Sequence, residues 1–545
     1  MKICLAQLNT TVADFDGNAA KITKSAAAAA AQGAEIIVFP EMCLTSYPPR
    51  DLLLRHTFIE AQLTALDCVA RDIKGIWAVV GFVSRNETGR GKPLRNSIAV
   101  IHGGRVADVR HKMLLPTYDV FDESRYFEPA AENPPVAIAG HRVGLTICED
   151  AWARYHGPEA PAYFSDPVAA LCKGGVEFII NASASPFTLG KQRVRRELLS
   201  HYARSCGKPL LYVNQVGGND ELVFDGDSQV YGPDGKLHVC GRLFEEDLLI
   251  FDVDNLPPPQ DAPELDDVTA IHKTLVLGIR DYAHKCGFKN AVLGLSGGID
   301  SSLVAALAAE ALGPENVTGV SMPSIYSSQA TIEDPAILAK NLGIRLEVIP
   351  INPAHDTFLK MLGKNLGDDN ASDLARQNLQ ARIRGTLLMA LSNRRHWLLL
   401  ATGNKSELAT GYCTLYGDMC GGLAPIGDVM KTQVYALSRR VNATREIIPV
   451  RVLTRSPSAE LKPNQTDQDS LPPYEILDEI LQAYVEDEKG VEEIVKMGFS
   501  REVVMDVRRR IATSEHKRRQ APLTLKVTSR AFGHGRRLPI ARKIL

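Results

Sequence analysis

A proline-rich stretch near the middle of the chain sets the first limit on how this sequence can fold. The segment NLPPPQDAPE, residues 255–264, contains four prolines in ten residues. Proline fixes φ and removes a backbone donor, so this segment cannot lie inside a helix or a central strand and forms a stiff connector. We therefore predict two domains, 1–254 and 265–545, joined by this linker. Each half of the 545-residue chain exceeds the ~150 residues of a typical domain.

Charge and composition exclude several classes of protein. The 62 Lys and Arg residues nearly balance the 64 Asp and Glu residues, which gives a formal charge of −2 and argues against a surface built for a polyanion. The sequence has no run of ~18 apolar residues, so it predicts no membrane helix. The N-terminus also lacks the apolar core of a signal peptide. The ten cysteines show no CxxC pair and no repeated spacing, which argues against zinc ribbons and disulfide frameworks. We therefore expect a cytoplasmic protein.

The first half alternates patterns that are typical of strands and helices. Apolar runs at 3–8, 34–41, 77–84 and 143–150 predict strands, and the alanine-rich run at 18–33 predicts a helix. The alternation predicts a layered α/β domain with functional residues at strand ends, where loops can present them. The remaining predicted strands and one hairpin lie at 96–112, 175–187, 209–217 and 226–238.

Three residues at the ends of these strands have complementary chemistry: Glu41, Lys112 and Cys148. Taken singly, each has an ordinary explanation: Glu41 as a surface turn residue, Lys112 as a solvated strand end and Cys148 as a small buried side chain. Together they suit amide cleavage. A carboxylate can take the thiol proton and return it to departing ammonia, while an ammonium stabilises the thiolate and the oxyanion.

Around these residues the sequence resembles the nitrilase superfamily. The matching motifs are IIVFPEMCLTSYPP, RHKMLLPTYDVFDESRYF and LTICEDAW. The resemblance implies an α-β-β-α sandwich in which Glu41 is the general base, Lys112 the electrostatic stabiliser and Cys148 the nucleophile.

Two flanking motifs, YDVFDESRYF and NASASPFTLGK, are similar to those of nitrilase domains that act as glutaminases. This resemblance implies that Tyr118, Ser185 and Lys191 hold glutamine. Lys191 stands where relatives can have Arg, and either cation suits a substrate carboxylate. Glu123 is either a second, supporting carboxylate or a surface ion-pair residue.

The second half contains a glycine-rich turn, AVLGLSGGIDSS at 291–302, ahead of a predicted helix at 303–312. Small residues let backbone N–H groups approach a phosphate, and the helix presents its positive N-terminal end there. The turn is not a Walker A loop, because no Gly-Lys-Ser/Thr follows it. Strands predicted at 317–324 and 345–351 extend a doubly wound pattern with a parallel sheet.

The glycine-rich turn resembles the loop of the ATP pyrophosphatases, which have an adenine-nucleotide alpha-hydrolase-like fold. This resemblance implies ATP as co-substrate and Mg²⁺ held in part by Asp300, and the loop alone leaves the acceptor open. The residues implied to bind ATP are Leu295, Ser296, Gly297, Gly298, Ile299, Asp300, Ser301 and Ser302.

The segments 401–439 and 377–385 look like the core of the NAD synthetases. That resemblance implies amidation of deamido-NAD, with ATP split to AMP and pyrophosphate and ammonia supplied by glutamine hydrolysis in the first half. A protected path for ammonia is expected, because ammonia in water near neutral pH is mostly ammonium, which has no nucleophilic lone pair. The family is generally dimeric, so we expect a homodimer or a higher homo-oligomer. The implied contacts are Thr402 and Lys431 with ATP, Asn378, Glu407, Asp418 and Lys517 with deamido-NAD, and Asp300 and Glu407 with Mg²⁺.

The C-terminal segment 501–545 is basic. It has 13 Lys and Arg against three acidic residues, so its charge is 13 − 3 = +10. Read alone, this charge suggests nucleic acid, but no binding motif accompanies it, and the phosphates of ATP and a dinucleotide suit it equally well. We therefore predict small-molecule substrates and no nucleic-acid partner. Two alternatives stay open: an amidase fused to a different adenylating ligase, and a non-enzymatic nucleotide sensor.

Overall fold

The computed structural model describes residues 1–155, 162–366, 373–463 and 465–543. It divides into two compact units, Met1–Glu264 and Leu265–Leu545. Residues 544 and 545, at the end of the basic segment, lie outside the described residues. No helix in the described part of the chain is long and apolar enough to cross a membrane.

Residues 1–155 and 162–264 of the first unit contain two six-stranded sheets and four α-helices. The strands of the first sheet are β1 (Lys2–Gln7), β2 (Ile36–Val38), β3 (Trp77–Arg85), β4 (Leu94–His102), β5 (Arg105–His111) and β14 (Asp247–Asp252), in the order β14-β1-β2-β3-β4-β5. The strands of the second are β6 (Val136–Ile138), β7 (His141–Ile147), β8 (Phe178–Ser183), β9 (Leu210–Asn214), β12 (Gln229–Tyr231) and β13 (Leu237–Cys240), in the order β13-β12-β9-β8-β7-β6. A separate hairpin pairs β10 (Val216–Asn219) with β11 (Leu222–Asp225). The helices are α1 (Phe15–Ala31), α2 (His56–Asp72), α3 (Pro167–Lys173) and α4 (Lys191–Cys206).

The two sheets pack face to face and are covered by helices on their outer faces. Ile3 and Leu5 of β1 belong to one buried cluster with Leu145 of β7 and Ile180 of β8. A second cluster joins α1 and α2 to the first sheet, and a third joins α3 and α4 to the second sheet. Apolar side chains from both inner faces therefore form one core, and the predicted α-β-β-α sandwich is confirmed.

Several predicted elements are shifted or shortened. Helix α1 begins at Phe15 rather than at residue 18, because the side chain of Asp14 caps it by accepting from the N–H of Gly17. Strand β7 ends at Ile147, and Cys148 begins a short 3₁₀ turn. The nucleophile expected at a strand end thus lies on the turn that follows the strand.

The second unit is built around a fully parallel six-stranded sheet. Its strands are β15 (Ala291–Gly294), β16 (Val317–Ser321), β17 (Arg345–Val348), β18 (Leu398–Leu400), β19 (Leu423–Ala424) and β20 (Leu523–Thr524). Its helices are α5 (Asp267–Lys285), α6 (Ile299–Leu312), α7 (Gln329–Leu342), α8 (Asn352–Leu362), α9 (Leu374–Arg395), α10 (Lys405–Thr410), α11 (Lys431–Val441), α12 (Val450–Thr454), α13 (Tyr474–Leu481), α14 (Val491–Lys496), α15 (Arg501–Thr513) and α16 (Glu515–Arg518).

The strand order of this sheet is β17-β16-β15-β18-β19-β20, and all five neighbouring pairs are parallel. The chain leaves β15 toward β16 on one side and later returns to β18 on the other side. Ligands of doubly wound sheets bind at such a switch point, beyond the carboxyl ends of the strands. The predicted parallel, doubly wound fold is confirmed.

A disulfide bond joins Cys172, near the end of α3, to Cys206, the last residue of α4. The prediction from cysteine spacing did not include this bond. The two residues are 34 positions apart and belong to no repeated pattern. Only the packing of α3 beside α4 brings them together, so spacing could not reveal the pair.

Candidate active sites

The two carboxylates and the ammonium of the first unit form a buried cluster. Lys112 follows β5, and its Nζ donates to Glu41 Oε1 at 2.8 Å and to Glu123 Oε1 at 2.9 Å. No more than 5% of any of these three side chains is exposed. The surface ion-pair explanation of Glu123 is therefore wrong, and this carboxylate shares the lysine with Glu41.

Glu41 is held in place by donors from two other elements. Its Oε2 accepts from the backbone N–H of Ala184 at 2.9 Å, just beyond β8. Its Oε1 accepts from Asn96 Nδ2 of β4 at 2.6 Å as well as from Lys112. These contacts orient the carboxylate from both sheets, which is the pre-organisation that a general base needs.

Cys148 occupies a strained turn beside this cluster. It is buried and has a φ of +41°, in the left-handed region that side chains other than glycine rarely adopt. Asp150 fixes the turn, because its two carboxylate oxygens accept from the backbone N–H groups of Met113, Leu114 and Ile147. The strain is thus maintained by hydrogen bonds two residues away.

Burial and the neighbouring carboxylates favour the protonated form of the Cys148 thiol. Burial raises the pKa of Cys148 well above its usual value, and the charge of Glu41 adds to the effect, while Lys112 opposes it. Burial lowers the pKa of Lys112, but Glu123 and Glu41 outweigh burial and raise it well above the ordinary range. Burial also raises the pKa of Glu123, to about 7, against the influence of Lys112. A base is therefore needed to form the thiolate.

A further carboxylate, Glu149, directly follows the thiol in the chain and has two tyrosine partners. Glu149 accepts from Tyr118 Oη at 3.1 Å and from Tyr163 Oη at 2.8 Å. Sequence reasoning selected Tyr118 but missed Glu149 and Tyr163. The position of Glu149 directly after Cys148 in LTICEDAW was the available signal, whereas the remote Tyr163 had none.

Two of the residues that are expected to bind glutamine are Lys191 and Ser185. Lys191 lies within electrostatic range of Cys148 and Glu149, and Ser185 directly follows Ala184, whose N–H donates to Glu41. Lys191 Nζ lies 5.4 Å from the ring centroid of Trp152 and 5.7 Å from that of Phe121. Burial lowers the pKa of Lys191, while the charge of Cys148 acts in the opposite direction. Ser185 is buried, and its N–H donates to Asn214 Oδ1. The faces of the two rings attract the ammonium and help to hold it in this position.

The second unit has a cavity of about 420 Å³ at the switch point of its sheet. The loops that follow β15 and β18 both reach it. Most of the residues implied to bind nucleotide or metal line this cavity: Leu295, Ser296, Gly297, Gly298, Ile299, Asp300, Ser301, Asn378, Thr402, Glu407, Asp418, Lys431 and Lys517.

The glycine-rich turn is tighter than the sequence suggested, because α6 begins at Ile299 rather than at residue 303. Asp300 and Ser301 therefore belong to the first helical turn. Gly297 has a φ of +78°, and a Cβ there would lie 2.7 Å from the carbonyl oxygen of Thr331. Ser302 is not among the residues that line the cavity, and its hydroxyl donates to the carbonyl of Gly298 at 2.8 Å.

Two carboxylates and one ammonium meet at the cavity wall. Lys431 Nζ lies 2.5 Å from Asp300 Oδ2 and 3.4 Å from Glu407 Oε1. Burial raises the pKa of Glu407 to about 8, and the charge of Asp300 adds to the effect. Asn404, which sequence reasoning missed, bridges the pair: its Nδ2 donates to Asp300 Oδ1 and its N–H to Glu407 Oε2. The sequence GNKSEL could have pointed to Asn404, because a typical N-cap residue stands there three positions before Glu407.

The residues expected at the dinucleotide lie along another wall. Thr414 joins two of them, because its N–H donates to Asp418 Oδ1 at 2.7 Å and its hydroxyl donates to Asn378 Oδ1 at 2.9 Å. Burial raises the pKa of Asp418. Lys517 Nζ donates to the carbonyls of Gly411 and Cys413, each at 2.7 Å. The cavity wall thus mixes donors, acceptors and a cation, as a phosphate-bearing ligand requires.

Known proteins match both halves of the chain. Residues 2–256 match the family model described as carbon-nitrogen hydrolase, and residues 271–521 match the model described as NAD synthase. A curated protein from Synechocystis sp., named glutamine-dependent NAD(+) synthetase, is 49% identical over 99% of this chain and 98% of its own length. The chain belongs to the glutamine-dependent NAD(+) synthetase family.

Two other members of the glutamine-dependent NAD(+) synthetase family extend the comparison. The Thermotoga maritima protein is 43% identical over 100% of this chain and 99% of its own length. A solved structure from Acinetobacter baumannii, in complex with adenosine diphosphate, is 39% identical with a TM-score of 0.78 and covers 99% of this chain and 98% of that one. The family resemblance therefore extends over the full length of the chain and includes both units.

Proposed function

We propose that the chain converts deamido-NAD to NAD, using ATP and ammonia released from glutamine, and yields AMP, pyrophosphate and glutamate. One observation carries the proposal. A single chain holds a buried thiol beside a base and an ammonium in one unit, and a carboxylate–lysine cluster at the nucleotide-type cavity of the other. Family membership narrows this pair of chemistries to glutamine-dependent NAD formation.

In the first unit, Glu41 takes the Cys148 proton as sulfur attacks the glutamine amide carbon. The ammonium of Lys112 lies 2.8 Å from Glu41 and stabilises the oxyanion of the tetrahedral intermediate. Glu41 then gives the proton to the departing nitrogen. The nitrogen leaves as ammonia, and the acyl group remains on Cys148 as a thioester. Water, deprotonated by Glu41, cleaves the thioester to glutamate and returns the thiol.

The glutamine contacts follow from the same site. Lys191 is the cation for the substrate carboxylate, and Ser185 and Tyr118 are polar contacts. Glu149, directly beside Cys148, is a carboxylate that can accept the substrate ammonium group, since it is buried and hydrogen-bonded by Tyr118 and Tyr163.

In the second unit, the nicotinate carboxylate attacks the α-phosphorus of ATP and pyrophosphate leaves. Ammonia then displaces AMP from the adenylate, which forms the amide. The turn at 295–301 and Thr402 contact ATP, while Asn378, Asp418 and Lys517 contact the dinucleotide. This activation is required because a free carboxylate is a poor electrophile at neutral pH.

The residues present fit Mg²⁺. Asp300 and Glu407 are two hard oxygen donors in one partly buried corner of the cavity, the chemistry that Mg²⁺ prefers. No group of three or more His, Cys, Asp or Glu side chains within the described ranges is arranged for a metal. A two-carboxylate site suits an ion that takes its other ligands from phosphates and water. When bound, Mg²⁺ would neutralise charge on the ATP phosphates.

We also propose that the protein is cytoplasmic and at least dimeric. Eight of the ten cysteines are free, as is common in reducing compartments. Large apolar side chains are exposed on α8 and α9 of the second unit, and a second copy of the chain could cover them: Phe358, Met361, Leu374 and Met389. Light scattering after gel filtration tests this part, and a monomer at micromolar concentration would contradict it.

Turnover with competing acceptors tests the proposed function. We expect NAD to form from deamido-NAD with ATP and ammonia, and no amide to form from aspartate or XMP under the same conditions. Amidation of aspartate or XMP with no NAD formation would favour the alternative of a different adenylating ligase. No turnover of any acceptor by folded protein would favour a nucleotide sensor.

A further inference from the structure

Lys431 occupies an unusual place for a lysine. It is the first residue of α11, where the partial positive charge of the helix N-terminus disfavours a cation. Its side chain is 1% exposed, and its Nζ lies 5.3 Å from the ring centroid of Tyr474. Other groups must therefore stabilise the ammonium in this position.

Asp300 and Glu407 supply that stabilisation and leave no carboxylate oxygen without a protein donor. The ammonium contacts Asp300 Oδ2 and Glu407 Oε1. The other two oxygens accept from Asn404, at 2.8 Å for Asp300 Oδ1 and 3.2 Å for Glu407 Oε2. The pair of carboxylates thus already has its counter-ion.

These are the same carboxylates that are proposed to hold Mg²⁺. Mg²⁺ binds oxygen at roughly 2.0–2.1 Å, so an ion on Asp300 Oδ2 and Glu407 Oε1 would need the volume that the ammonium fills. Two cations cannot share this corner. The lysine side chain, with four rotatable bonds, can instead turn toward another anion in the same cavity.

We propose that Lys431 is a displaceable counter-ion of the metal site. In the free protein it sits between Asp300 and Glu407 and prevents divalent cations from binding alone. When ATP and metal enter together, its ammonium moves to the phosphates and releases the two carboxylates. This inference rests on the proposed ATP chemistry and adds an order to it: metal does not bind before nucleotide.

A matched lysine in the same cavity allows a control for simple loss of charge. Lys517 also lines the cavity, but its ammonium contacts two backbone carbonyls rather than a carboxylate. Replacing either lysine by Met removes one positive charge from the cavity. Only the change at Lys431 also removes an ammonium from between the two carboxylates.

The experiment is Mn²⁺ binding to the full chain without nucleotide, followed by electron paramagnetic resonance. We expect Lys431→Met to bind Mn²⁺ at least about tenfold more tightly than the unaltered chain, and Lys517→Met to change the affinity by less than about threefold. Equal tightening by both variants, or none by Lys431→Met, would overturn the proposal. Adding Asp300→Asn to Lys431→Met should abolish the tight binding, and its persistence would also overturn the proposal.

Two further measurements separate the causes of failure. Lys431→Gln replaces the Met variant if circular dichroism shows that the Met variant does not fold, and the same tightening is expected. NAD formation by the unaltered chain is measured in parallel. If the unaltered chain forms NAD but the Lys431 variants do not bind Mn²⁺ more tightly, only the role of Lys431 is rejected. If the variants bind Mn²⁺ more tightly but the unaltered chain forms no NAD, only the proposed function is rejected.

Discussion

At the residue scale, the first site depends on one lysine shared by two buried carboxylates. The sequence predicted Glu41, Lys112 and Cys148 from their chemistry and their motifs, but it left Glu123 undecided. The structure shows that Glu123 is buried, and the burial of one side chain depends on contacts with distant strands and loops, here with Asn96 of β4, Lys112 just after β5 and Tyr47 in the loop after β2. No local pattern encodes such contacts.

Replacement of Glu123 by Gln tests its role in glutamine hydrolysis. The amide keeps the shape but removes the charge that helps to hold Lys112. We expect kcat for glutaminase activity to fall by roughly 10²-fold with a small change in KM. Glu132→Gln, on an exposed residue of the same unit, is the control and should retain full activity. Equal activity of the two variants would mean that Glu123 is only a packing residue.

The raised pKa of Glu123 also predicts how stability depends on pH. The folded-state pKa of about 7 exceeds the ordinary value of 4.5, so the folded state holds this proton more tightly. Its contribution to stability is fully present below pH 4.5 and is lost as pH rises through 7. The Tm of Glu123→Gln, minus that of the unaltered chain, should therefore increase between pH 5 and 8. A pH-independent difference in scanning calorimetry would contradict this.

At the element scale, the types of the predicted elements were more accurate than their ends. The strand expected at 34–41 spans only Ile36–Val38, and the helix expected from residue 303 begins at Ile299. Apolar periodicity locates the part of an element that packs on the core. Its ends depend on caps and on neighbouring loops, so Asp300 and Ser301 could be placed in a helix only from the structure.

The glycine-rich turn gives a prediction at this scale. Gly297→Ala places a Cβ in the left-handed region and within 3 Å of the Thr331 backbone, which must displace the turn or α7. We expect ATP-dependent NAD formation to fall at least about tenfold. Gly287→Ala is matched in backbone strain, with a φ of +80° and no atom within 4 Å, and should cost only about 1–2 kcal/mol of stability and no activity. Normal ATP binding by Gly297→Ala would contradict the proposed role of the turn.

At the scale of the whole molecule, two units of similar size carry separate chemistries. The proline-rich segment and the two sets of motifs predicted this organisation, and both fold classes are confirmed. The Cys172–Cys206 disulfide and the partners Glu149 and Asn404 were not predicted. The disulfide depends on two helices that meet only after folding, so a single sequence carries little signal for it. The motifs LTICEDAW and GNKSEL did mark Glu149 and Asn404, but the side chains that these two residues contact are set by loops that meet only after folding.

The central claim is that the first unit only supplies ammonia and the second unit makes NAD. The most direct test compares NAD formation from glutamine and from added ammonia in Cys148→Ala, with Cys68→Ala, a change at another free cysteine, as the control. We predict that glutamine-dependent NAD formation falls at least about 10³-fold in Cys148→Ala, because the nucleophile is gone. Ammonia-dependent formation should stay within about twofold of the control. Loss of both activities in a folded Cys148→Ala protein, or retention of the glutamine-dependent one, would contradict the account.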